Sequence, residues 1–220
     1  MILSKTEDFV KSLLESDPSG HDWWHIHRVR ELALMIAKSE GADLILVELA
    51  ALLHDVDDWK LSENEGGQPK AKQWLQSLDI EDNIINRVWS IIEGVSFKGA
   101  GVGTETNDLE CKVLQDADRL DAIGAIGIAR AFAYGGSRGR KIYDPEIQPI
   151  LHTDFDHYKK SVGTTVNHFY EKLLLLKDRM QTPTGRKIAE QRHEFMVRFL
   201  DQFYEEFNLN TKDNNGFEEL

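Results

Sequence analysis

A single cysteine, Cys111, stands in this chain of 220 residues, so no disulfide can close within it, and the sparse thiol usage fits a reducing compartment. Long apolar runs are missing as well. The longest, such as Leu49–Leu53 and Leu173–Leu176, fall far short of the roughly 20 residues that a bilayer span requires. The first residues, Met-Ile-Leu-Ser-Lys-Thr-Glu-Asp, put acidic groups where a signal peptide has its apolar stretch, and a cytoplasmic protein is expected. Positive charge is scarce: 26 Lys and Arg face 38 Asp and Glu, a formal net charge of −12. Non-specific nucleic-acid binding draws on a broad positive surface and is not expected here. An anionic small molecule would instead need a cation or a local Lys/Arg cluster.

What is present is ordinary for a globular domain. The apolar share is 41% and the charged share 29%, and the length suits one well-cored domain. Nearly every patterned segment runs at helical period and none alternates as a strand does, so an all-α fold is expected. Ser4-Lys-Thr-Glu7 fits a capping box ahead of Phe9, Val10, Leu13 and Leu14. A second helix is predicted from about Asp22 to Ser39, with Ile26, Val29, Ala33, Ile36 and Ala37 inward and Gly41 past its end. Asp43 can cap a third, Leu44 to about Asp55, apolar nearly all round and therefore central. Shorter helices are predicted near Lys70–Leu78 and Asp82–Glu93, and one long helix from Asn107 to about Ala133. Val162, Val166, Phe169, Leu173 and Leu176 mark another. Thr182-Pro183 opens a last helix carrying Ile188, Phe195, Phe199, Phe203 and Phe207, an aromatic stripe that serves either as core or as a homodimer interface. Two irregular stretches, Val95–Thr106 and Tyr134–Asp156, are long for loops in a helical domain, and such loops are more often functional than idle.

Three polar clusters interrupt this apolar pattern. His21-Asp-Trp-Trp-His25-Ile-His27-Arg28-Val29 places His25 at the edge of a buried stripe, with His27 about 200° around the axis and facing elsewhere. His54-Asp55-Val-Asp57-Asp58 follows the most apolar helix, where charged groups are costly unless paired or bound to a metal. Asp116-Ala-Asp118-Arg119-Leu-Asp121 sits among core residues. Two histidines and two carboxylates form a mixed nitrogen and oxygen set. It suits one divalent transition metal, Mn²⁺, Fe²⁺, Co²⁺, Ni²⁺ or Zn²⁺, with Mg²⁺ less favoured by imidazole.

In order, spacing and helical setting, His25-Ile-His-Arg28-Val29, His54-Asp55 and Ala117-Asp118-Arg119-Leu120 resemble the pattern of the HD-domain phosphohydrolases. Ser96-Phe97-Lys98-Gly99, Gln115–Arg130 and Asn167-His-Phe-Tyr-Glu-Lys172 extend the likeness to a bacterial subfamily of HD hydrolases over about residues 20–200. The resemblance implies an HD-type helical bundle over 1–207, with a metal-binding core at about 20–133, a C-terminal helical part at about 157–207 and a polar tail at 208–220. It also implies His25, His54, Asp55 and Asp118 as metal ligands, with Asp116 the rival for the last place and Asp121 a residue behind the ligands. Asp58 stands where many such enzymes place an acidic residue and is either a general acid/base or a solvated carboxylate. Lys98, Arg138, Arg140 and His21 are candidates for substrate contact, each with an ordinary surface role as the alternative.

The implied activity is metal-dependent hydrolysis of nucleotides, foremost a nucleoside or deoxynucleoside triphosphate cleaved to monophosphate and pyrophosphate. A nucleoside monophosphate phosphatase and a cyclic-nucleotide phosphodiesterase are rivals within the same chemistry. A nucleotide-binding regulator without turnover is the rival outside it.

Overall fold

The computed structural model describes residues 2–14, 22–57, 69–95, 106–150 and 163–207. Among them every regular element is helical. In chain order these are α1 (Ile2–Leu14), α2 (Trp23–Glu40), α3 (Leu44–Leu53), α4 (Lys70–Ser77), α5 (Asp82–Val95), α6 (Leu109–Asp121), α7 (Gly124–Ser137), α8 (Thr165–His168) and α9 (Pro183–Phe207). Between α8 and α9 the helix widens into a π turn over Phe169–Leu173 and then tightens into a 3₁₀ stretch over Leu174–Arg179.

Local chemistry sets the boundaries of α2 and α3. Asp22 caps α2 by accepting from His25 N at 2.9 Å. Gly41 ends it with φ 80°, a left-handed conformation that an L side chain rarely adopts. Asp43 caps α3 by accepting from the amides of Ile45 and Leu46. The expected inner stripe of α2, Ile26, Val29, Ala33, Ile36 and Ala37, is fully buried, and so are Val47 and Ala50 to Leu53 of α3. Helix α3 ends at Leu53, and His54 to Asp57 form turns. Asp57, which the sequence places in the polar cluster after α3, takes the amides of Lys70 and Ala71 at 2.7 and 2.9 Å and so caps α4.

Several expectations are corrected. Helix α1 begins at Ile2, so Ser4 lies inside its first turn and does not open it. The long helix expected from Asn107 is two helices: Ile123 is extended and Gly124 has φ 77°, which breaks the hydrogen-bond ladder and turns the chain into α7. That turn is closely packed, since a Cβ on Gly124 would lie 3.0 Å from the Arg192 side chain. Phe195 is 44% exposed, while Phe199 and Phe203 pack on the core, so the aromatic stripe of α9 is core only in part. Thr182 behaves as expected of an N-cap, its hydroxyl accepting from Gly185 N at 2.9 Å.

Helix α6 is the hub. It packs on α2, α3, α5, α7 and α9. From its other side the C-terminal half grips it: Arg119 donates to Arg179 O at 2.9 Å and Arg192 donates to Leu120 O. The fold thereby sets one face of α6 against α2 and the end of α3, where the polar clusters meet.

Candidate metal centre

Histidine 25, on α2, is 1% exposed, and its ring stands 5.5 Å from that of His54 at the C-cap of α3. The His54 Nδ1–H donates to Ala51 O at 2.8 Å, which leaves Nε2 as the lone-pair nitrogen. That Nε2 is buried, lies 3.5 Å from Asp55 Oδ1, and has no hydrogen-bond partner among the described residues. A buried lone pair aimed at a carboxylate is poorly placed unless a cation lies between them. Asp55, on the turn after α3, also brings Oδ2 to 3.2 Å from His25 Nε2. The ligand atoms of His25, His54 and Asp55 all lie within 4.8 Å of one another and could hold a metal ion. The donor set of two imidazoles and a carboxylate suits a divalent transition ion.

The three aspartates of α6 part company. Asp118 points its Oδ1 to within 3.6 Å of His25 Nε2 and is 40% exposed, so it borders the cluster on its open side. Asp116 faces away. It is fully buried, and it accepts from the amides of Gln181 and Thr182 and from the Thr182 hydroxyl at 2.7 to 3.0 Å. Asp121 stands behind His25, its Oδ2 2.7 Å from Nδ1.

Electrostatics follow from this arrangement. Burial opposes a charge on His25. The hydrogen bonds to Asp121 and Asp55 and the nearby Asp118 outweigh it, and its pKa rises to about 9. Burial likewise opposes the charge on Asp121, yet His25, Arg28 and Arg130 hold its carboxyl well below the usual range. The cluster is a place where positive charge is favoured.

Two residues at this centre went unassigned in the sequence. Arg28 lies one turn after His25 and grips Asp121 with a two-pronged fork, Nε to Oδ1 at 2.6 Å and Nη2 to Oδ2 at 3.0 Å. Arg130 reaches the same carboxylate from α7. The spacing of Arg28 from His25 was a usable signal. Arg130 had none, because one continuous helix would put it about 13 Å along the axis from Asp121.

The remaining candidates stand apart from the cluster or outside the described residues. Arg138 and Arg140 follow α7, about two turns beyond Arg130, and lie 5.4 and 5.8 Å from the Tyr134 ring centre. His21, Asp58 and Lys98 lie outside the described residues. Trp24, beside His25, is 61% exposed, and His27 sits against both tryptophans. Cys111 is buried against Gly94, as a small residue on a helix face should be. No helix among the described residues is long and apolar enough to cross a membrane.

A histidine–aspartate cluster where α2, α3 and α6 meet, in an all-helical chain, defines the class, and comparison agrees. The HD domain pattern matches residues 23–123, from α2 to the turn after α6. This chain belongs to the HD-domain superfamily of metal-dependent phosphohydrolases. Among its relatives, YpgQ of Bacillus subtilis is 41% identical over 196 residues, 88% of each chain. The crystal structure of YpgQ in complex with ADP superposes with a TM-score of 0.74 at 38% identity, covering 93% of this chain and 97% of that one. An HD-superfamily hydrolase from Bacillus thuringiensis gives 0.74 at 45% identity, over 94% and 96% of the two chains. A Lactobacillus plantarum protein gives 0.82 at 40% identity, over 94% and 97%.

Proposed function

We propose that this protein is a cytoplasmic hydrolase of nucleoside or deoxynucleoside triphosphates, releasing monophosphate and pyrophosphate, with one divalent transition ion such as Mn²⁺ held by His25, His54, Asp55 and Asp118. The observation that carries the metal assignment is the buried Nε2 of His54, which faces Asp55 with its Nδ1–H already committed to Ala51 O. The nucleotide assignment draws support from the ADP complex of YpgQ.

When bound, the cation supplies Lewis-acid polarisation of a phosphoryl oxygen and activation of water. The chain's own residues do the rest. Asp121 holds the Nδ1 proton of His25, and Ala51 O holds that of His54, so that both rings present Nε2 to one point. Asp118, on the open side, leaves room for substrate. Asp58 takes up a proton from the attacking water on its carboxylate, and Lys98, Arg138, Arg140 and His21 contact phosphate. With a net charge of −12 on the chain, those few basic groups and the ion are what draw an anionic substrate in.

The test is an assay of metal-loaded protein against nucleoside and deoxynucleoside mono-, di- and triphosphates that resolves phosphate from pyrophosphate. Pyrophosphate from triphosphates is expected. Orthophosphate from monophosphates would make the protein a nucleotidase. Nucleotide binding without product would make it a regulator, a reading for which the ADP complex of the relative is equally suitable support. Asp58→Ala is expected to spare metal uptake and lower kcat by about 10²-fold or more.

A further inference from the structure

Asp121 is met by more positive charge than one buried carboxylate needs. Its side chain is 2% exposed and a single arginine would neutralise it, yet Arg28 and Arg130 both bind it, from two different helices. Both oxygens are thereby engaged: Oδ1 by Arg28 Nε, and Oδ2 by Arg28 Nη2, Arg130 Nη1 and His25 Nδ1. The Arg130 Nη1 also lies 3.2 Å from His25 Nδ1. At 2.7 Å from an ionised carboxylate, that Nδ1 must carry the proton, because two lone pairs at this distance repel.

A lone aspartate at this place would have two options. It could turn toward the ion and ligate it, or it could stay on Nδ1 and orient the histidine. A carboxylate gripped by a two-pronged guanidinium on one side and a second guanidinium on the other has only the latter. Carboxylates that hold the far nitrogen of a metal-binding histidine fix its ring and tautomer, and losing them typically costs 10- to 100-fold in affinity.

We infer that Arg28 and Arg130 are positioning residues, a two-sided clamp that commits Asp121 to His25 Nδ1 and so fixes the direction in which His25 Nε2 faces the ion. The inference rests on the metal reading above. Helix α7 thus takes part in the centre without contributing a ligand. An ion pair that merely tied α2, α6 and α7 together would affect stability and leave affinity alone.

The experiment uses the full chain. Mn²⁺ affinity is measured by calorimetry for wild type, Arg130→Met, Arg130→Lys and Arg28→Met, alongside thermal unfolding of each metal-free protein. In the same metal-free samples, imidazole ¹H–¹⁵N spectra follow solvent exchange of the His25 Nδ1–H. Arg130→Met is expected to weaken Mn²⁺ binding about tenfold and to speed Nδ1–H exchange. Arg130→Lys keeps the charge without the guanidinium and should recover part of both. Should Arg130→Met fail to fold, Arg130→Gln carries the same expectation. Unchanged affinity and exchange in folded Arg130 variants, with wild type binding Mn²⁺ normally, would overturn the clamp and leave the metal reading intact. No Mn²⁺ uptake by wild type, with Arg130 variants still altering Nδ1–H exchange, would uphold the clamp on Asp121 and overturn the metal reading.

Discussion

Helix α6 buries a carboxylate on each of two faces, and the two are held in opposite ways. Asp116 faces the C-terminal half, and its hydrogen bonds come from neutral donors, the amides of Gln181 and Thr182 and the Thr182 hydroxyl, with Arg119 standing off at 3.5 Å. Gly185 presses so near that a Cβ there would come within 2.5 Å of Asp116 Oδ2. Asp121 faces α2 and is held by charged donors, Arg28, Arg130 and His25. Burial pushes the Asp116 carboxyl above its ordinary value in spite of its donors, whereas the charged neighbours of Asp121 push it below. A carboxylate enclosed by backbone amides anchors the chain; one that answers to a histidine and two guanidiniums serves a centre next door. Asp118 lies between them in sequence, about 200° around the axis from Asp116, and sides with the centre.

The comparison breaks most sharply at the first ligands. Asp55→Ala is expected to abolish Mn²⁺ uptake and to lower hydrolysis by about 10³-fold, read by calorimetry and pyrophosphate release; activity within tenfold of wild type would remove this face from the chemistry. Asp118→Asn should weaken Mn²⁺ binding by about tenfold or more with an unchanged melting temperature, since its side chain is 40% exposed. The reverse is expected of Asp116→Asn: affinity within about twofold, and a stability loss of about 1–3 kcal/mol as a buried donor loses its acceptor, seen as a Tm lower by several degrees. If Asp116→Asn lost the metal and Asp118→Asn kept it, the two faces would have to exchange roles.

The smallest effect on the metal centre is expected at His168, whose influence is on stability. Burial, with Lys172 and Arg140 nearby, pushes its pKa down to about 3. An unfolded chain protonates this histidine below about 6.5 while the folded one does not, so stability is lost as pH falls from about 6.5 toward 3. His168→Gln should flatten urea-unfolding stability across that window and leave Mn²⁺ affinity at neutral pH as it was.

Much of this was legible in the sequence where short-range chemistry decides. Asp22 and Gly41 bracket α2, Asp43 opens α3, and Thr182-Pro183 opens α9, because caps act within a few residues. The meeting of His25, His54 and Asp55 was implied by the resemblance of their motifs to those of the HD-domain phosphohydrolases, not by the position of each cluster alone. What escaped depended on distant contacts. The break at Ile123–Gly124 is packed against Arg192, 68 residues further on, and a glycine alone does not tell a break from a helix that tolerates it. Missing that break hid Arg130. Ser4-x-x-Glu7 has the letters of a capping box, but the helix had already begun at Ile2.

That short reversal has a consequence for how this chain can change length. Between Asp121 and Arg130 the path runs through an extended Ile123 and a left-handed Gly124 with no slack. One residue added or removed there would turn α7 by about 100° and swing Arg130 off the carboxylate it meets. Surface loops in proteins absorb insertions at little cost, but here residue count works like the teeth of a gear. An insertion in this interval is therefore expected to weaken the hold on Asp121, where one in a surface loop would not.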